Sequence, residues 1–262
     1  MKKTILPTFL GNRLNFELPK SWNDFTQEQL RYVFFLMATF PQITAQAYLF
    51  FRLLNIKVHC KSSYGWVCSV RLNWHQKVRF FMQEWEVQFW QKHLNWLYSP
   101  TADTPHLKFI DHHHAVSGTL HGVSFEDYLK CENYYQGYLY SKNEDALRFM
   151  GYVLYPDHRK RWQRMLRPQK FKDYELFSIF LWWSSVKQVF SQNFPDFFQR
   201  IDPATEGEIP NMMAVMNAQI RALSGGDITK EHEVLNMDCW RALTELNEKA
   251  REVKEQKERM KK

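Results

Sequence analysis

Glycine is scarce in this chain, 9 residues in 262. So few permissive backbone positions argue against a loop-rich all-β protein and for helices. Cysteine is sparse too: Cys60, Cys68, Cys131 and Cys239, with no C-x-x-C pair and no common zinc spacing. Free thiols in a reducing compartment are the simplest account. No long apolar run occurs; Tyr32 to Phe40 is the longest window, far short of the roughly 18 residues a bilayer span needs. The start is basic, but Ile5 to Leu10 is broken by Pro7 and is too short for the central region of a signal peptide. These absences lead to the expectation of a cytoplasmic protein. Also missing are G-x-S-x-G, a Walker loop, G-x-G-x-x-G and H-E-x-x-H. No internal repeat is visible. No enzyme and no cofactor are expected.

What is present is aromatic. Trp, Tyr and Phe make up 16% of the chain, within a hydrophobic total of 45% and a charged total of 24%. That composition supports a packed core and leaves aromatic side chains for contact surfaces. A net charge of +7 permits nucleic-acid or anionic contact without establishing it.

Apolar spacing predicts a mainly α protein, an irregular multi-helix bundle with one or two small β-hairpins and a C-terminal helix-turn-long-helix. Residues 1–20 read as extended, with Leu14, Phe16 and Leu18 alternating. Thr26 and Gln29 fit a capping box for a helix over Gln27 to Thr39 that buries Leu30, Val33, Phe34 and Met37. Pro41 ends it, and a second helix over Ile43 to Leu54 turns Tyr48, Phe51 and Leu54 inward. A hairpin fits around Ser62-Ser63-Tyr64-Gly65. A helix is then expected from about Asn73 to Tyr98, with Val78, Phe81, Met82, Trp85, Phe89 and Trp96 as its stripe. Ser99 to Pro105 reads as a linker. Beyond it, Leu107 to Asp111 pairs with Ala115 to Val123 as a hairpin, Ser124 caps a helix, and Ser141-Lys142-Asn143 turns into Glu144 to Leu154. An apolar helix covers Tyr174 to Phe190. The regions are 1–99, 106–200 and 210–262, either separate pieces or one compact domain with a projecting tail.

The chain's end has the clearest local logic. Asn211 to Leu223 is helical, Gly225 and Gly226 close it, and Asp227 caps a long charged helix running to the terminus. In that helix Leu243, Leu246, Ala250, Val253 and Met260 recur at steps of three and four, a heptad-like seam interrupted by Lys257. It serves either as a terminal helix packed on its own domain or as a docking helix for a second copy or another protein.

Two further stretches could carry chemistry. The run Arg159, Lys160, Arg161, Trp162, Arg164 and Arg167 could neutralise phosphates while Trp162 stacks on a base. A solvated helix face, or a salt-bridge partner for acidic residues elsewhere, is the plainer account. In the predicted hairpin His112 and His114 share a face that His121 could oppose, a three-imidazole arrangement suited to zinc or nickel. A solvated polar hairpin is the plainer account. Asp24, Glu126–Asp127 and Glu144–Asp145 sit at helix starts, where they complement the helix dipole.

Three segments carry a resemblance: Leu18 to Leu30 with its Pro19-Lys20-Ser21-Trp22-Asn23-Asp24-Phe25 core, Phe125-Glu126-Asp127-Tyr128 with Glu132-Asn133-Tyr134-Tyr135, and Met216 to Leu223 with Asp238 to Leu246. They resemble phage or prophage proteins of Bacteroides-type bacteria. The resemblance implies a part in particle or tail assembly and transfers no site residues. The partners it implies are other phage structural or assembly proteins, with self-association through the last helix and nucleic-acid contact as further possibilities.

Overall fold

Thr26 and Gln29 reciprocate: Gln29 N donates to Thr26 Oγ1 at 3.3 Å and Thr26 N to Gln29 Oε1 at 2.9 Å. This capping box starts α1 (Gln27–Thr39) at the expected residue. The computed structural model describes residues 4–7, 13–16, 18–74, 76–99, 103–198 and 211–260, with only the backbone for residues 4–7 and 13–16 and for Leu72, Asn73 and Arg161. The chain divides into two units, Met1–Ser99 and Pro100–Lys262. It is mainly α with small antiparallel hairpins.

In the first unit β1 (Thr4–Pro7) pairs antiparallel with β2 (Arg13–Phe16). Helix α1 buries Leu30, Val33, Phe34 and Leu36, so Leu36 takes the place expected for Met37. Helix α2 (Gln42–Leu53) buries Ala45, Gln46, Leu49 and Phe50. Tyr48, expected inward, is exposed and rests edge-on against Phe40. The buried amides are satisfied: Gln46 donates to Asn95 Oδ1 at 2.9 Å, and Gln91 to the Ile43 carbonyl at 2.8 Å.

A three-stranded meander follows, β3 (Ile56–Ser62), β4 (Gly65–Asn73) and β5 (Gln76–Gln83). Here the helix expected from Asn73 to Tyr98 is corrected. Val78, Phe81 and Met82 lie on β5; only Glu84–Lys92 is α-helical (α3), and a 3-10 turn covers Asn95–Tyr98. The reason is period. Phe80 and Met82 are buried while Phe81 between them is exposed, and Val78 and Phe80 sit opposite Val70 and Cys68 of β4. Trp22 stacks on Phe34 at 5.9 Å and Phe50 on Trp90 at 6.0 Å, so the core is largely aromatic.

The second unit begins with a minimal hairpin, β6 (Phe109–Ile110) and β7 (His113–His114). Ala115 to Val123 is no strand; it is an irregular segment, pinned by Trp182 Nε1 donating to the Gly118 carbonyl at 2.7 Å and Trp240 Nε1 to that of Thr119 at 2.6 Å. Ser124 Oγ accepts from Asp127 N at 3.1 Å and starts α4 (Phe125–Ser141). Lys142 takes a left-handed turn, and Asn143 caps α5 (Glu144–Leu154). Helices α6 (Arg161–Leu166) and α7 (Asp173–Asn193) follow. Phe125, Trp182, Trp183 and Phe190 are buried at the centre of this unit.

Asn211 caps α8 (Met212–Ser224), and Gly225 and Gly226, at φ 65° and 83°, end it. Asp227 then caps a 3-10 turn, not a long helix. Helix α9 (Glu231–Asn236) is separated from α10 (Cys239–Met260) by a link to the start of α4. Phe125 N donates to the Met237 carbonyl at 2.7 Å, Cys239 N to that of Val123 at 2.9 Å, and Gly122 N to Asp238 Oδ2 at 2.6 Å. The single long helix is thus corrected to two. Asp238 also accepts from Trp240 N at 2.9 Å, as an N-cap does.

Candidate functional site

The three histidines do not converge. His112 sits in the β6–β7 turn at φ 69°, His114 packs on Phe109 with ring centroids 4.2 Å apart, and His121 stacks flat on Trp240 at 4.4 Å. Without the expected second strand nothing carries His121 across to the other two. Among the described residues no three metal-ligating side chains assemble. His113, between His112 and His114 in sequence, is buried, and its Nδ1 lies 3.8 Å from Asp157 Oδ1.

The basic run separates into parts. Arg159 is occupied: Nε and Nη2 grip Asp157 at 2.9 and 2.7 Å, and Nη2 also donates to the Arg167 carbonyl at 2.9 Å. That grip holds the Asp157 carboxyl well below the usual range, with the hydrogen bond from Arg159 as the main cause. Arg159 therefore holds the segment together, its guanidinium already engaged by a carboxylate and a carbonyl. The Arg161 side chain lies outside the described residues. Lys160, Arg164 and Arg167 are exposed and make no ion pair among the described residues. Trp162 is 58% exposed. Beside it stand Met165 and Leu166, exposed by 77% and 72%. The i, i+3, i+4 spacing of these three marks one helix face, a signal that reading the run for charge alone passes over.

The C-terminal seam is divided as well. Leu243 and Leu246 are buried in the second unit, Ala250 is half-buried, and Val253 is 49% exposed. From Arg251 to Met260 every residue is exposed. Helix α8 leaves its stripe half-covered: Met212, Met216, Ile220 and Leu223 are all intermediate in burial. A further aromatic surface lies on α4 and α5, where Tyr134 stacks on the exposed Phe149 at 5.4 Å and exposed Tyr152 meets Phe171 at 5.4 Å.

Three of the four thiols are buried. Burial pushes Cys68 up to about 11 and Cys239 up to about 12, and raises Cys131 well above the ordinary thiol value. These thiols stay protonated and act as small apolar groups. Among the described residues no helix is long and apolar enough to cross a membrane.

Compared with known protein families, curated proteins and solved structures, the chain matches none.

Proposed function

We propose that this chain is a non-enzymatic assembly adaptor of phage or prophage origin, holding other particle or tail components through protein–protein contacts. The observation that carries the reading is the outer half of α10, a stretch of helix from Arg251 to Met260 that is exposed on every side and retains apolar Val253 and Met260. Apart from the Lys254–Asp196 ion pair, this helix end makes few contacts with its own unit and adds little to that unit's stability, since most helix stability in proteins comes from packing. It is shaped for something else to cover. The exposed rings of α5 and the resemblance of the Leu18–Leu30 and Asp238–Leu246 segments to phage proteins support the same reading. The place of action is the cytoplasm of the bacterial host, with carriage into the particle as a further step.

Mass spectrometry of purified particles and of stalled assembly intermediates tests it. The chain should be found in at least one of them. Its absence from both, with the gene set among metabolic enzymes, would remove the reading.

A second reading has its own observation. Lys160, Arg164 and Arg167 are exposed on the same short helical segment as the exposed Trp162, a combination of cations and an aromatic ring that suits contact with single-stranded nucleic acid.

A further inference from the structure

The charges on α10 are sorted by face. At about 3.6 residues per turn, Leu246, Ala250, Val253, Lys257 and Met260 fall on one side, with Lys249 and Lys254 at its two edges. Glu248, Arg251, Glu252, Glu255, Glu258 and Arg259 fall on the other. The far side satisfies much of its own charge. Arg251 pairs with Glu248 and, at 3.9 Å, with Glu255; Arg259 lies 3.8 Å from Glu255. The seam side does not. Lys254 reaches Asp196 at 3.1 Å, but Lys249 and Lys257 make no ion pair among the described residues. Even Glu245, one turn before Lys249, forms none with it among them. The exposed half of the seam therefore presents apolar Val253 and Met260 with the cationic Lys257 between them and Lys249 and Lys254 at the edges.

We infer that this face of α10 docks an acidic amphipathic helix of another protein, one whose apolar stripe is edged by Asp or Glu. The inference rests on the adaptor reading and names the chemistry of its partner. Edge charges of this kind set partner choice in paired helices. A second copy of this chain is the wrong occupant. Seam against seam, it would bring Lys249, Lys254 and Lys257 against their like. The acidic side of α10 offers no apolar residue to cover Val253 and Met260. Helix α8, whose one charged residue is Arg221, brings no acid either.

The test uses the full chain and two synthetic helical peptides as probes. Both carry a leucine seam; one has glutamate at the edges and the other lysine. Fluorescence anisotropy should show binding of the glutamate peptide and none of the lysine peptide. Val253→Asp should weaken that binding by about tenfold or more, and Lys257→Glu should shift preference toward the lysine peptide. These positions are exposed, so circular dichroism should report an unchanged fold. Equal binding of both peptides, binding of neither, or indifference to both substitutions would overturn the inference. So would a dimer in sedimentation velocity that Val253→Asp dissolves, because the occupant would then be a second copy. Absence of the chain from particles would refute the adaptor reading and leave the peptide result standing, so the two failures are distinguishable.

Discussion

Arg159 holds Asp157 by two guanidinium nitrogens, Nε at 2.9 Å and Nη2 at 2.7 Å, while the Asp157 carboxylate also faces His113 across 3.8 Å. Arg159 N adds a backbone bond to the same carboxylate at 2.9 Å. The residues before α6 are thereby folded into a fixed loop, and Arg159 closes it on the Arg167 carbonyl beyond the helix. The helix that carries the exposed Trp162 is held from both ends by one side chain.

This pairing makes part of the second unit's stability depend on acid. The folded pKa of Asp157 lies below its ordinary value of 3.8. Its contribution is therefore present at neutral pH and is lost as pH falls below about 4. Asp157→Asn should lower the melting temperature at pH 7 by a few degrees, at about 2–4 °C per kcal/mol for a chain of this size. The gap from the parent should close as pH drops. Thermal melts by circular dichroism from pH 7 to pH 3 measure it; a gap that stays constant into acid would refute the assignment.

The seam of α10 predicts two different outcomes for two neighbouring truncations. Leu246 is buried, so Leu246→Ala should cost about 2–5 kcal/mol. Val253 is half exposed, so Val253→Ala should stay within about 0.5 kcal/mol of the parent. Urea unfolding followed by tryptophan fluorescence separates them. Equal costs would mean that the outer half of the helix packs as tightly as the inner half.

Much of this architecture is legible in local sequence, and its failures share one cause. The Thr26–Gln29 box, the turn at Ser141–Asn143 and the paired glycines after α8 each act within a few residues, and each sits where the sequence places it. Val78, Phe81 and Met82 also fit a helix in a short window, because three apolar residues at steps of three and one do not distinguish periods. What makes that segment a strand is pairing with Val70 and Cys68, and pairing is not a property of the segment. The break before α10 depends likewise on Val123 and Ser124, over a hundred residues earlier. The histidine site failed because the strand meant to carry His121 is an irregular segment held by Trp182 and Trp240. Of the basic run, Arg159 follows the salt-bridge alternative, with its partner two residues away at Asp157.

The corrected meander can be tested at Gly65. A Cβ there would lie 2.1 Å from the Met82 carbonyl oxygen, a backbone atom that cannot swing aside. Gly65→Ala should therefore push β4 away from β5 and destabilise the first unit by about 1–3 kcal/mol. Limited proteolysis should show faster cleavage within Met1–Ser99 and little change beyond Pro100. No change in either would argue that the two strands are not in this register.

The surface of α6 decides between the two functional readings through salt. If Lys160, Arg164 and Arg167 contact phosphates, binding of a fluorescent single-stranded oligonucleotide should weaken linearly in log salt, with a slope of about 0.7 per phosphate contact. Arg164→Glu with Arg167→Glu should remove about two such contacts and flatten the slope by about 1.4. Trp162→Ala should instead lower affinity without changing the slope, by about 1–3 kcal/mol if the indole stacks on a base. Arg159→Ala is the internal control: its guanidinium is held by Asp157, so any loss of binding there should accompany a drop in melting temperature. A salt slope that the double charge reversal leaves untouched would show that the oligonucleotide sits elsewhere or does not bind. The exposed Trp162, Met165 and Leu166 would then form a contact face for protein, as the adaptor reading requires of surfaces outside α10.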